Sequence, residues 1–180
     1  MTVDEYIQLK AFARWDGLWL ALLWVASFAC YVLGLRTPGL GLVALVLVIV
    51  TPFFIGRQLK RFRDDALDGF ISFKRGWAYV MFLFLYAGLL FAVAQFVYFS
   101  YMDHGFFVDA MTKMTHAPET SQALQQMGMV QTVDESLNLL RSMRPIDLTL
   151  NILTTNLLIG LVLGIPIALV VKRERIVKRQ

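Results

Sequence analysis

The chain has 180 residues, of which 58% are hydrophobic and only 17% charged, with a formal net charge of +4. Soluble domains hold about 45–50% apolar and about 25% charged residues, so a disordered tail, a disulfide-stapled secreted module and an ordinary cytosolic enzyme are excluded. A mean hydropathy of +0.62 points to an integral membrane protein, and the length suits a single domain over residues 1–180.

Crossing a hydrocarbon core of about 30 Å takes about 20 helical residues, and the sequence offers four apolar runs of that order. The first covers about 17–35, between Asp16 and Arg36. Lys10 and Arg14 precede it, but the leading Asp4 and Glu5 do not suit a secretory leader. Ser27-Phe28-Ala29 before Cys30 lacks the branched aliphatic residue of a lipoprotein site. The first span is therefore expected to be retained, and the lone Cys30 forms no intrachain disulfide.

Thr37-Pro38 cannot easily continue a helix and leads into the second run, about 39–56, as a tight hairpin. A basic loop, 57–76, follows. In it Lys60 with Asp64 and Arg61 with Asp65 stand four apart, the spacing of a helix that continues out of the span, and Gly69 is placed to end it. Arg57, Lys60, Arg61, Arg63, Lys74 and Arg75 form a candidate contact for anionic lipid or a partner. Basic residues near an anionic leaflet gain about 1 kcal/mol each, so topology alone also accounts for them.

The third run covers about 77–99, with Trp77 and Tyr79 at one end and Tyr98, Phe99 and Tyr101 at the other; with Trp15 and Trp19 they are placed as interfacial anchors. The loop 100–147 is longer than a hairpin needs. Phe107, Ala110, Met111 and Met114 recur at helical spacing, as do Val133, Leu137, Leu140 and Arg144. Thr132-Val133-Asp134-Glu135 reads as a capping box and Pro118 as a first helical residue. Two or three short amphipathic helices are expected, with a methionine-bearing surface suited to adaptable contacts. His104 and His116, with Asp103, Asp109 and Glu119, match no zinc spacing, so no metal, cofactor or catalytic residue is assigned.

The fourth run, about 148–171, carries Asn156, Gly160 and Gly164 at steps of four. Small residues there allow a second helix close approach, and these three form the candidate packing seam. A polar path using Asn156 with Gln95, or a pore lined by Asn151, Thr155 and Asn156, is the alternative. Thr51-Pro52 and Pro166 mark candidate kinks in spans two and four. No ionisable residue falls inside a span.

Thirteen Lys and Arg residues lie on the side holding both termini and the 57–76 loop, against four on the other. The positive-inside rule then places both termini in the cytoplasm. Net charge is +6 on that side and −2 on the other, so the basic balance is a topological signal and no nucleic-acid partner is expected.

Arg61-Phe62-Arg63-Asp64 with Gly69-Phe70-Ile71-Ser72-Phe73, the aromatic exit Tyr98-Phe99-Ser100-Tyr101-Met102-Asp103, and the close of the fourth span from Gly160 to Lys172 together resemble domain-of-unknown-function family 4199. The resemblance implies a small bacterial four-span membrane protein and assigns no functional residue. The expected fold is all-α: a polytopic bundle of four transmembrane helices with a short amphipathic-helical outer loop. The expected role is a non-enzymatic accessory or scaffold subunit of the bacterial inner membrane, partnered by the lipid bilayer and by another membrane protein or a second copy. The alternative is a small channel or transporter component. A membrane lipid enzyme, with Asp103 and His104 as its nearest candidates, stands third.

Overall fold

A computed structural model describes residues 2–37 and 39–173. Seven helices lie among these residues: α1 (Val3–Gly34), α2 (Leu40–Ala66), α3 (Phe73–Tyr101), α4 (Phe106–Thr115), α5 (Pro118–Gln126), α6 (Val130–Ser142) and α7 (Pro145–Val171). Four of them, α1, α2, α3 and α7, are long and apolar enough to cross a membrane. The chain is a multi-pass, all-helical membrane protein.

Each long helix overruns its apolar run because capping and packing, not hydropathy, end it. α1 starts at Thr2, whose hydroxyl accepts from the Glu5 N–H (3.3 Å) while the Glu5 carboxylate accepts from the Thr2 N–H (2.8 Å), a reciprocal cap. Ahead of residue 17, Leu9, Ala13 and Asp16 are buried at helical spacing. This first stretch is therefore a packed extension of the span. α2 runs on through the basic stretch to Ala66, and Asp68 and Gly69 then take positive φ values of 53° and 81°. Glycine adopts that backbone without steric cost, as its expected role in ending the helix requires.

α3 is the centre of the bundle, packed between α1 and α7, while α2 leans chiefly on α1. The core is filled by Leu9, Leu20, Ile55, Leu59, Phe62, Tyr79, Val80, Leu83 and Phe84, all 0–1% exposed. At the end carrying the N-terminus, Ile71 and Arg173 exchange both backbone hydrogen bonds (2.9 and 3.0 Å). The Arg63 guanidinium donates to the Val171 carbonyl (3.0 Å). These contacts tie the α2–α3 connection to the foot of α7.

At the opposite end, where two or three short helices were expected, α4, α5 and α6 are found. Pro118 opens α5 at its first position. The Thr132 capping box does not form: α6 begins two residues earlier, with Met129 as its cap and no side-chain cap bond. Thr132 is thus inside the helix, its carbonyl accepting from Ser136 (2.7 Å), and Glu135 accepts from Gln131 (3.0 Å). α4 rests on the bundle through Phe107, whose ring lies 5.7 Å from that of Phe99 and 6.1 Å from that of Tyr31. It is tied to α6 by Arg141 and Asp109 (2.8 Å).

Candidate functional site

Sequence reading set Asp16 just outside the first apolar run; the structure buries it within the bundle. Asp16 is 5% exposed, where the apolar part of α1 begins, and its carboxylate accepts a hydrogen bond from the Tyr79 hydroxyl of α3. Tyr79, expected at the interface as an anchor, is fully buried and its ring stacks on Phe62 at 4.9 Å. A carboxylate taken out of water needs such a donor. The sequence carried the signal only as Asp16 bordering an apolar run. By contrast Trp15 and Trp19 are exposed on the bundle surface, as anchors are.

Two of the three seam residues meet α3. A Cβ added to Gly160 would lie 2.7 Å from Cδ1 of Phe84, and one added to Gly164 would lie 3.0 Å from Cδ1 of Trp77. The glycines let the α7 backbone come within contact of those rings. Asn156 instead lines a groove open to the membrane, and its amide makes no hydrogen bond among the described residues. Gln95 is buried on α3 and does not line that groove, and its Oε1 is unpaired. Asn151 and Thr155 are exposed on the perimeter of α7, the Thr155 hydroxyl donating to the Asn151 carbonyl (2.9 Å). The three proposed pore residues thus share no lumen within one chain, whose centre is packed solid.

The groove has a volume of 570 Å³ and lies where α2 and α7 part. Trp24, Ser27, Phe28 and Tyr31 of α1 and Phe84 and Phe91 of α3 form its floor, with Gly41 to Pro52 of α2 on one side and Asn156 to Leu163 of α7 on the other. Its polar wall groups are largely satisfied from within. The Trp24 indole donates to Thr51 (3.3 Å), Thr51 donates to the Leu47 carbonyl (3.2 Å), and Ser27 donates to the Ala44 carbonyl (3.1 Å).

The six basic candidates divide into two sets. Arg63 is bonded to Asp64 (2.7 Å) and to α7, and Arg75 reaches Glu5 (3.0 Å) and Gln8 (3.1 Å) of α1. Both are largely covered, at 12% and 14% side-chain exposure, and they hold helices together. Arg57, Lys60, Arg61 and Lys74 are exposed, and Arg61 carries an ion pair to Asp65 one helical turn on (3.2 Å).

The other polar candidates serve structure. The Asp103 carboxylate accepts from the Tyr98 hydroxyl (2.8 Å) and from the Gly105 and Phe107 N–H groups (3.1 and 3.0 Å), which caps α4. His104, at φ 47°, sits in the turn so formed. His116 faces Asp134 across the α4–α6 contact (3.5 Å). At the start of α7 the Arg144 guanidinium makes a two-pronged bond to the Asp147 carboxylate (2.7 and 2.9 Å), which raises the Arg144 pKa. Among the described residues no group of three or more His, Cys, Asp or Glu side chains is placed to hold a metal.

Comparison with protein families gives one match. The model described as protein of unknown function (DUF4199) fits residues 16–173. No curated protein and no solved structure matches the chain.

Proposed function

The chain belongs to the DUF4199 family of proteins of unknown function, and we propose that it serves as a non-enzymatic accessory or scaffold subunit. Its membrane is the inner membrane of a bacterial cell, with both termini in the cytoplasm and a second membrane protein or a second copy as partner. The observation that carries this reading is the inward use of polar groups. Asp16 with Tyr79, Trp24 with Thr51, Ser27 with the α2 backbone, Arg75 with Glu5 and Gln8, and Arg63 with Val171 all join one helix to another. What the chain offers outward is contact area. On α2, Leu42, Val46, Ile49 and Phe53 form one exposed stripe at helical spacing, each more than half exposed. A partner helix rests on that stripe by packing alone, the main source of helix association in lipid.

The exposed Arg57, Lys60, Arg61 and Lys74 face the cytoplasmic leaflet in this orientation. Their attraction to anionic headgroups, about 1 kcal/mol each, holds the bundle at a set depth.

Extraction in a mild detergent followed by native mass spectrometry tests the role. A reproducible complex with another membrane protein, or an oligomer, is the expected result; repeated recovery of the lone chain contradicts it. A reporter fused after Gln180 tests the orientation, since activity confined to the non-cytoplasmic side reverses it.

A further inference from the structure

We propose that the groove between α1, α2 and α7 binds one phosphate-bearing diacyl lipid, an acyl chain lying along the groove and the phosphate at Arg36. The wall decides the chemistry of the occupant. It is built of rings and aliphatic side chains, among them Trp24, Phe28, Leu45, Val48, Phe91 and Ile159. Ser27 and Thr51, which interrupt it, spend their hydroxyl protons on backbone carbonyls, and the Asn156 amide stands at its α7 side. The surface presented is one that hydrocarbon covers well and water does not.

Size suits a hydrocarbon chain. On α2 the wall runs from Gly41 to Pro52, about 16 Å at the helical rise of about 1.5 Å per residue. Carbon atoms pack about 3.5–4.0 Å apart, so a volume of 570 Å³ spread over that length is room for an acyl chain laid along it. The groove face of α2, with Gly41, Leu45, Val48 and Pro52, is also distinct from the stripe of Leu42, Val46, Ile49 and Phe53. A lipid and a partner helix do not compete for it, and the inference stands whether or not the scaffold role does.

Charge decides the headgroup. The groove reaches toward the α1–α2 turn, where Gly34 and Gly41 abut backbone to backbone and Arg36 follows two residues later. The Arg36 guanidinium lies over the Phe106 ring, 4.1 Å from its centroid, and makes no ion pair among the described residues. A guanidinium held over a ring by its charge still has N–H groups for a second partner, and their fork matches a phosphate. A lipid phosphate near Arg36 places its acyl chains at the depth of Tyr31 and below, where the groove begins.

The test uses the full-length chain, reconstituted in vesicles of phosphatidylglycerol doped with diacylglycerol, then released and weighed by native mass spectrometry, with retention of each lipid scaled to its share of the vesicle. The unaltered chain is expected to retain one phosphatidylglycerol and to prefer it over diacylglycerol by about five-fold, the worth of one basic residue at an anionic group. Val48→Trp and Leu45→Trp, two exposed wall positions, fill the groove and abolish retention. Leu158→Trp, equally exposed but off the groove, leaves it intact. Arg36→Gln removes the preference for the phosphate-bearing lipid. The inference is overturned by no retained lipid in the unaltered chain, by equal retention in the two groove-filling variants, by no preference over diacylglycerol, or by a dimer that Val48→Trp dissociates.

Discussion

The Tyr79 hydroxyl of α3 donates its hydrogen bond to the Asp16 carboxylate of α1, joining two helices through residues that are both almost wholly buried. The bond lies between the stacked Phe62–Tyr79 pair and the Gly17 contact with α3. Polar and apolar packing thus fix the same helix crossing.

Removing one partner leaves the other buried without a mate, which costs more than the bond itself contributes. Tyr79→Phe is expected to destabilise the bundle by about 2–3 kcal/mol and Asp16→Asn by about 1 kcal/mol. Adding Asp16→Leu to Tyr79→Phe recovers part of the loss, because no polar group then remains unpaired. Unfolding titrations in mixed micelles read all three, and strictly additive effects would show that the two side chains are not coupled.

Three glycines predict a ranking. A Cβ at Gly160 collides with Phe84, one at Gly164 presses on Trp77 at 3.0 Å, and one at Gly76 meets Ala168 at an ordinary 3.5 Å. Overpacking of this kind costs about 1–3 kcal/mol. Gly160→Ala is expected to be the most damaging, Gly164→Ala intermediate and Gly76→Ala near neutral. The same unfolding measurement checks the order, and a Gly76→Ala loss equal to that of Gly160→Ala contradicts it.

The two sets of basic residues separate by experiment. Arg75→Met breaks the links to Glu5 and Gln8 and lowers stability in neutral and anionic lipid alike. Lys60→Gln, at an exposed site, leaves stability unchanged and weakens only the preference for anionic vesicles, by about 1 kcal/mol. Thermal unfolding in the two lipids checks both.

Asp103→Ala deprives α4 of its cap, an effect of about 1–2 kcal/mol. Faster amide exchange is expected over Phe106–Thr115 and little change in α1 or α7. Uniform loss of protection across the chain would give Asp103 a wider role.

The four spans were readable from the sequence because hydrophobic length is a local property: a run of about 20 apolar residues has one stable environment whatever its neighbours do. The continuation of α2 past its apolar run was legible in the four-residue spacing of Lys60 with Asp64 and Arg61 with Asp65, whereas the start of α1 at Val3 was not, since it rests on packing of Leu9 and Ala13 and not on hydropathy. Gly160 and Gly164 were visible as small residues in an apolar helix, and only the fold chose Phe84 and Trp77 to sit on them. Asn156 shared their spacing, yet the parting of α2 from α7 puts it beside a groove.

The sequence by itself determined class, span number and the uneven charge of the two sides, all of which follow from composition along a short window. Tertiary structure alone decided that Asp16 is buried, that Tyr79, sixty-three residues away, is its partner, and that Arg63 and Arg75 are cross-braces while Lys60 is exposed. Those outcomes depend on which surfaces meet. A buried charge, a close glycine contact and a groove are properties of two or more helices together, and no window of one helix contains them.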